Sequence, residues 1–156
     1  MIYFDNAATT KNKPAEVIDA VVDALKSFGN SSRGVYEESL SADRVVFDTR
    51  KKLAKMFNVG NSRQVVFTKN ATESLNIAIN GLLSEKDHII TSVAEHNSVL
   101  RPINYLRAKG AEVSYINVFE NGVLNLDELS KLIKANTKGI VLTHASNVTG
   151  NITDIR

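Results

Sequence analysis

The sequence contains four short runs rich in strand-forming residues: QVVFT at residues 64–68, HIIT at 88–91, EVSYINV at 112–118 and GIVLT at 139–143. Each run is shorter than an ordinary helix and contains the β-branched residues that favour strands. Helical patterns separate the runs, so predicted strands and helices alternate along this part of the chain. The alternation predicts an α/β fold of three layers, in which helices flank a mostly parallel sheet.

Two helices are predicted before these runs, at residues 14–28 and 36–57. The first helix has an apolar face that we expect to pack against protein, formed by Val17, Val21, Leu25 and Phe28. Among the later helices, one contains Pro102, which suits a first turn better than a helix interior. Asn125 and Glu128 have capping-box spacing, which predicts the start of another helix.

The composition narrows the class of protein. Of the 156 residues, 43% are hydrophobic and 23% are charged, which is typical of a globular domain. The net charge of +2 is too small to indicate a nucleic-acid or membrane partner. Cysteine is absent, which excludes disulfides and cysteine-ligated metals within these residues. We find no signal-peptide pattern and no membrane-spanning apolar run, so we expect a soluble, cytoplasmic protein.

The segment TKNATES, at residues 68–74, connects a predicted strand to a predicted helix. Parallel α/β sheets bind ligands in such loops, and a helix N-terminus offers unpaired N–H groups to a phosphate. Thr72 could add a hydroxyl donor. The same residues also suit a simple helix cap, in which Asn70 or Thr72 bonds to the backbone and Glu73 assists.

Two further polar loops follow predicted strands. In AEHNS, at residues 94–98, the flat ring of His96 could stack on an aromatic cofactor, or it could be a surface or capping histidine. In THASNVTG, at residues 143–150, Asn147 could donate to a ligand oxygen and Gly150 permits a turn. The residues of THASNVTG would equally suit an ordinary loop that binds no ligand.

Other kinds of site find no support in the sequence. His88, His96 and His144 lack the spacing of metal ligands, so we predict no metal site. No predicted strand is followed by a G-x-G-x-x-G segment, and there is no Walker-type loop. A dinucleotide or P-loop nucleotide site is therefore not expected.

Five segments occur in the order found in one known family. They are YFDNAATT (3–10), FGNSSRG (28–34), FTKNATESLNIAI (67–79), TSVAEHNSVLRP (91–102) and THASNVTGNITDI (143–155). With these segments the chain resembles the cysteine desulfurase branch of the class V aminotransferases, which are pyridoxal-phosphate (PLP) enzymes of fold type I. The resemblance extends over essentially the whole sequence.

The resemblance implies roles for residues at matching positions. Ala71 and Thr72 would contact the phosphate of PLP. His96 would stack on the pyridine ring, and it is the catalytic residue implied within this chain. Asn147 would form a hydrogen bond near the phenolic oxygen. The substrate-binding residues would be Asn6, Ala7, Ala8 and Arg33. The residue chemistry agrees, because a phosphate favours a helix N-terminus and a planar ring favours a planar face.

The resemblance also implies what the parent protein does, namely removal of sulfur from cysteine through a PLP Schiff base. The family's pyridine-nitrogen aspartate, Schiff-base lysine and mobile-loop cysteine lie beyond the segments matched here. We therefore expect these 156 residues to be inactive alone. We predict an N-terminal segment with the first helix at residues 1–35, and the first part of the PLP-binding large domain at 36–156.

Two departures from the family pattern leave the substrate open. Lys69 and Asn70 precede Ala71, where many desulfurases have Ser-Gly, and Arg33-Gly34 stands where a histidine often follows Ser-Ser. The alternatives are a related class V aminotransferase or lyase without sulfur transfer, and a non-catalytic assembly module. The partners implied are cysteine or a related amino acid, a second copy of the chain and a sulfur-accepting protein.

Overall fold

The computed structural model describes residues 2–31 and 34–154. The chain divides into two compact units, Met1–Phe67 and Thr68–Arg156. The domain boundary predicted between residues 35 and 36 concerns the parent protein, and it stays a prediction. The α/β architecture lies in the second unit.

The first unit is built on two helices that match the sequence prediction closely. Helix α1 spans Ala15–Ser27, helix α2 spans Glu37–Met56, and a 3-10 turn at Ser62–Gln64 follows. The buried residues of α2 are Ser39, Ala42 and Ala54. No helix in the described ranges combines the length and the apolar character needed to cross a membrane.

The apolar face of α1 remains open within this unit. Val21 is 55% exposed and Leu25 is 82% exposed, and none of the residues of α1 is buried. Helices α1 and α2 line an apolar groove of about 470 Å³. The described chain therefore does not supply the packing partner that we expected for this face.

Residues 65–68 form no strand, so the prediction of a strand at 64–68 is wrong. Val65 has strand-like backbone angles, with φ −87° and ψ 116°, and the residues after it are also outside any helix. No strand of the described chain pairs with this segment. Side-chain preference alone does not make a strand, because a strand is stabilised by pairing with a neighbour.

The second unit contains a parallel three-stranded sheet. Strand β1 spans His88–Ser92, β2 spans Glu112–Ile116 and β3 spans Thr137–Ile140, in the spatial order β2-β1-β3. Both neighbours run parallel to β1, and a register irregularity between His88 and Ile89 interrupts the pairing with β3. The predicted parallel α/β arrangement is confirmed.

Helical segments cover both faces of this sheet. Helices α3 (Ala71–Leu82) and α4 (Asn97–Ala108) lie on one face, and a 3-10 turn followed by α5 (Leu129–Leu132) lies on the other. Successive side chains of a strand point to opposite faces, so Ile89 and Ile90 of β1 enter different cores. The first core comprises Ile79, Leu83, Ile89, Val99, Ile103, Leu106 and Ala111. The three-layer prediction is therefore confirmed.

Pro102 lies inside α4 rather than in its first turn, which corrects the sequence expectation. Proline has no N–H to donate to the carbonyl four residues earlier, which is that of Ser98. Asn76 Nδ2 of α3 lies 3.5 Å from this carbonyl oxygen, and it also donates to Thr72 O at 2.9 Å. The neighbouring helix thus provides a donor beside the carbonyl that Pro102 cannot satisfy.

The segment predicted to begin at Asn125 is helical but short. A 3-10 turn at Leu126–Glu128 leads into a single α-helical turn, and Asn125 makes no side-chain cap. Instead, Asn125 Nδ2 donates to Glu128 Oε1 at 3.0 Å, while Asn117 N–H donates to Glu128 Oε2 at 3.2 Å. Glu128 therefore binds this turn to the end of β2.

We predict that Ile79→Ala lowers the free energy of unfolding by about 2–5 kcal/mol, because it opens a cavity in the first core. Ile79 is 4% exposed, whereas Ile77 on the same helix is 61% exposed. The matched variant Ile77→Ala should change stability little, since it removes no buried contact and improves helix propensity. Urea unfolding followed by circular dichroism measures both, and equal losses would contradict the assigned core.

The turn between α3 and β1 is closed by a carboxylate. Ser84 donates to Asp87 Oδ2 from its backbone N–H at 2.7 Å and from its hydroxyl at 2.8 Å. These hydrogen bonds to Ser84, with a smaller contribution from the charge of Lys138, lower the pKa of Asp87 below its usual value. The ionised form of Asp87 is therefore favoured in the folded protein.

The lowered pKa of Asp87 predicts that the stability of the fold depends on pH. A group whose folded pKa is lowered stabilises the fold above its unfolded pKa, about 3.9 for Asp, and loses that effect as the pH falls through the folded value. Asp87→Asn should therefore lower the free energy of unfolding most at pH 7. The difference in this free energy between the variant and the unsubstituted chain should shrink below about pH 4. Ser84→Ala should show a smaller difference of the same sign. A difference in unfolding free energy that is constant from pH 3 to 7 would rule this out.

Candidate cofactor-binding site

The N-terminus of α3 is capped by the residues that the sequence suggested. Asn70 Oδ1 accepts from Glu73 N–H at 2.9 Å, and Glu73 Oε2 accepts from Lys69 N–H at 2.7 Å. Two backbone donors are thus satisfied by a reciprocal pair of side chains. Asn70 is the cap, and Thr72 is not.

Capping does not use all the donors at this helix end. The N–H groups of Ala71 and Thr72 have no acceptor in the described part of the chain, and both residues are exposed. Unpaired N–H groups at the positive end of a helix dipole form an anion site when a ligand supplies the acceptor. The first turn of α3 therefore fits a phosphate while Asn70 caps the helix.

His96 caps the N-terminus of α4 with its imidazole ring. Ser98 N–H donates to His96 Nδ1 at 3.1 Å, and Ser98 Oγ lies 2.8 Å from the same nitrogen. A nitrogen that accepts carries no proton, so the neutral ring holds its proton on Nε2. The residue is exposed. The capping role and the stacking role predicted for His96 are thus compatible.

Asn147 lies at the tip of a loop that folds back on itself after β3. Ser146 N–H donates to Asn151 O at 2.9 Å, and Ser146 Oγ accepts from the N–H groups of Val148 and Thr149. Gly150 has φ +73°, a conformation that glycine adopts without strain. The predicted turn at Gly150 is confirmed, and the side chain of Asn147 is presented on an exposed loop.

Two side chains connect the three predicted cofactor segments. Asn76 contacts the first turn of α3 at Thr72 O and the first turn of α4 at Ser98 O. Glu95 Oε1 accepts from Thr143 N–H at 2.7 Å, which joins the loop after β1 to the loop after β3. Neither side chain stands out in the sequence, because sequence motifs mark residues and not contacts between distant segments.

The predicted substrate residues Asn6, Ala7 and Ala8 belong to the first unit, where they form an exposed turn. Asn6 Oδ1 accepts from Lys11 N–H at 3.3 Å, which holds the turn closed. Arg33 lies outside the described residues. The substrate-binding roles of all four residues stay predictions.

The histidines have roles other than metal binding in this structure. Buried His88 lies 2.7 Å from Thr137 Oγ1 through Nδ1 and 2.9 Å from Ser114 Oγ through Nε2. His144 Nδ1 donates to Thr153 O at 2.9 Å. Across residues 2–31 and 34–154, no group of three or more metal-ligating side chains could hold a metal ion.

Comparison with known proteins identifies the family. The family model of class-V aminotransferases matches residues 2–156. The chain belongs to this family. Its members depend in general on PLP, the cofactor whose phosphate and ring the segments above would contact.

The similar proteins are cysteine desulfurases. The enzyme named cysteine desulfurase IscS from Buchnera aphidicola subsp. Acyrthosiphon pisum is 38% identical over 161 residues, covering 99% of this chain and 39% of its own length. The probable cysteine desulfurase of Methanothermobacter thermautotrophicus is 32% identical, with the same coverage. This chain spans 39% of the length of these relatives and corresponds to their N-terminal part.

Solved structures give the same result. An apo cysteine desulfurase from Thermococcus onnurineus superposes with a TM-score of 0.87 at 34% identity, covering 99% of this chain and 39% of that one. A structure of SspA in complex with cysteine has a TM-score of 0.87 at 30% identity, covering 98% of this chain and 45% of the other. The fold described above is therefore that of the matching part of a PLP-dependent desulfurase.

The observed capping role and the predicted stacking role of His96 can be separated by substitution. His96→Asp should preserve the α4 cap, because aspartate is a strong N-cap, but it removes the ring. His96→Phe should preserve a planar face and lose the cap, at a cost of about 1 kcal/mol. We expect the Asp variant to have the higher melting temperature and the Phe variant to have the higher affinity for PLP. The same ranking in both measurements would contradict the separation of roles.

Proposed function

We propose that this chain is the N-terminal part of a PLP-dependent cysteine desulfurase, whose parent protein removes sulfur from cysteine. One observation carries the proposal. The first turn of α3, whose first two N–H groups have no acceptor in the described chain, lies beside the first turn of α4, which His96 caps. This arrangement occurs in a chain that matches a cysteine desulfurase over 99% of its length. PLP, when bound, supplies the electron sink for breaking bonds of an amino-acid substrate.

The first turn of α3 would hold the phosphate. Two N–H groups, from Ala71 and Thr72, have no acceptor among the residues that the structure describes, and the Thr72 hydroxyl adds a third donor on the same exposed turn. Each charge-assisted hydrogen bond of this kind contributes about 1.5–3 kcal/mol. The α3 dipole would add to them, because the positive end of a helix dipole attracts an anion.

His96 and Asn147 would orient the ring of the cofactor. The α4 cap fixes the His96 imidazole through Nδ1, so a planar face is available for stacking. Nε2 is then the ring nitrogen that is not used by the cap, and it is the atom able to hold a proton near the substrate. The amide of Asn147 would donate to the phenolic oxygen.

Cysteine is the proposed substrate, with Asn6, Ala7, Ala8 and Arg33 as residues near it. Support comes from the relatives, which are named cysteine desulfurases, and from SspA, which has been solved with cysteine. A homodimeric, cytoplasmic parent and a sulfur-accepting partner protein are further parts of this proposal. Residues 36–156 would form the first part of its PLP-binding domain. We propose that these 156 residues alone do not turn over cysteine, since they match only 39% of the relatives' length.

Ala71→Pro tests the phosphate site without disrupting the helix. Proline is favoured at the first position of a helix, and Asn70 before it is already extended, with φ −167° and ψ 172°. The substitution removes one free donor, so affinity for PLP or inorganic phosphate should fall about tenfold. Fluorescence titration measures the affinity, and the melting temperature should stay the same or rise.

Ala15→Pro is the matched control, because Ala15 is the first residue of α1 in the other unit. This variant should bind PLP as the unsubstituted chain does. Unchanged affinity in Ala71→Pro would remove the α3 terminus from the proposed cofactor site.

A further inference from the structure

Glu95 is a buried carboxylate next to the predicted stacking histidine. The residue is 8% exposed, although it lies in the short loop between β1 and α4. A buried carboxylate is costly unless hydrogen bonds compensate for its lost hydration. The neighbours of Glu95 therefore decide what this side chain does.

Three donors from two segments satisfy the carboxylate. Ser92 Oγ donates to Oε1 at 2.8 Å, Thr143 N–H donates to Oε1 at 2.7 Å, and Thr143 Oγ1 donates to Oε2 at 2.6 Å. Ser92 Oγ also accepts from Ala94 N–H at 3.3 Å, which closes the loop leading to Glu95. Both carboxylate oxygens are thus bound, and all partners are donors.

These bonds hold two cofactor segments together across 48 residues of sequence. On one side, Glu95 immediately precedes His96, the cap of α4. On the other side, Thr143 begins the segment that leads to Asn147. No other hydrogen bond joins residues 93–96 to residues 143–147 in the described chain. Val141, just before the second segment, is bonded to Ile90 and Thr91 of β1, and beyond that pairing this carboxylate is what holds the two loops together.

We propose that Glu95 is a positioning residue of the cofactor site. Its carboxylate fixes the His96 loop against the Thr143 loop, so that His96 and the Asn147 segment are arranged before the cofactor binds. This inference rests on the proposed function, because it assigns these two loops to one PLP site. Preorganisation of this kind raises affinity by removing the ordering cost from the binding step.

Thr143→Val tests the inference with a small change. It removes the hydroxyl donor to Oε2 and keeps the shape of the side chain and the backbone donor. In the folded protein we expect PLP affinity to fall roughly three- to tenfold. Thr143→Ser retains the hydroxyl and should restore the affinity. Circular dichroism at the titration temperature checks that each variant is folded, which separates positioning from a loss of stability.

A second measurement needs no cofactor. Ser98 N–H donates to His96 Nδ1, so its hydrogen exchange reports how firmly the His96 cap is held. Thr143→Val should accelerate exchange at Ser98 roughly three- to tenfold relative to Ile103 in the middle of α4, and Thr143→Ser should not. If Thr143→Val does not fold, Ser92→Ala removes another donor to the same carboxylate and carries the same expectations.

The outcomes distinguish this inference from the proposed function. If the unsubstituted chain binds no PLP, the proposed cofactor site fails for this chain alone, and exchange at Ser98 decides the role of Glu95. If PLP binds, the inference requires both the affinity loss and the faster exchange. A lower melting temperature with unchanged affinity and unchanged exchange would overturn it and leave Glu95 a structural residue only.

Discussion

Burial of strand β1 along its whole length is the constraint on which the rest of the second unit depends. All five of its residues are inaccessible to solvent, and three of them are polar. A buried polar group without a partner costs about 1–3 kcal/mol, so each needs a hydrogen bond from a neighbouring segment. His88 reaches Ser114 on β2 and Thr137 on β3, while Thr91 Oγ1 donates to Val141 O at 3.0 Å. These bonds fix the sheet register, because a shift by one residue would leave them unmade.

The same requirement extends from the sheet to the loops that would bind a ligand. Ser92 ends β1 and donates to Glu95, which in turn accepts from Thr143 after β3. Residues that would contact a cofactor, such as His96, are exposed, whereas Ser92 and Glu95, which hold the loops, are buried. Positioning and contact are therefore divided between different side chains. This is how a loop can be polar and accessible while its geometry is set by the core.

Periodic segments of the sequence predicted most of the fold, because a helical or alternating pattern reflects which face is buried. The prediction was wrong at residues 64–68, where strand formation depends on a partner that no local pattern reveals. It was also wrong for Pro102, which is tolerated inside α4 beside a donor from α3. Glu95 was missed for a similar reason. Its partner Thr143 is 48 residues away, and an acidic residue in a loop is ordinarily a solvated one.

The departure at Lys69 and Asn70 illustrates how a changed motif can retain its chemistry. Many desulfurases have Ser-Gly at these positions, and this departure is one of the two that leave the substrate open. In the structure, Asn70 caps the helix through its side chain, and Lys69 takes part through its backbone N–H. Neither interaction uses the N–H groups of Ala71 and Thr72, which have no acceptor within residues 2–31 and 34–154 and so are left to donate to a ligand. Because a phosphate is bound by backbone donors at a helix end, the identity of the preceding side chains matters less than the donors they leave free.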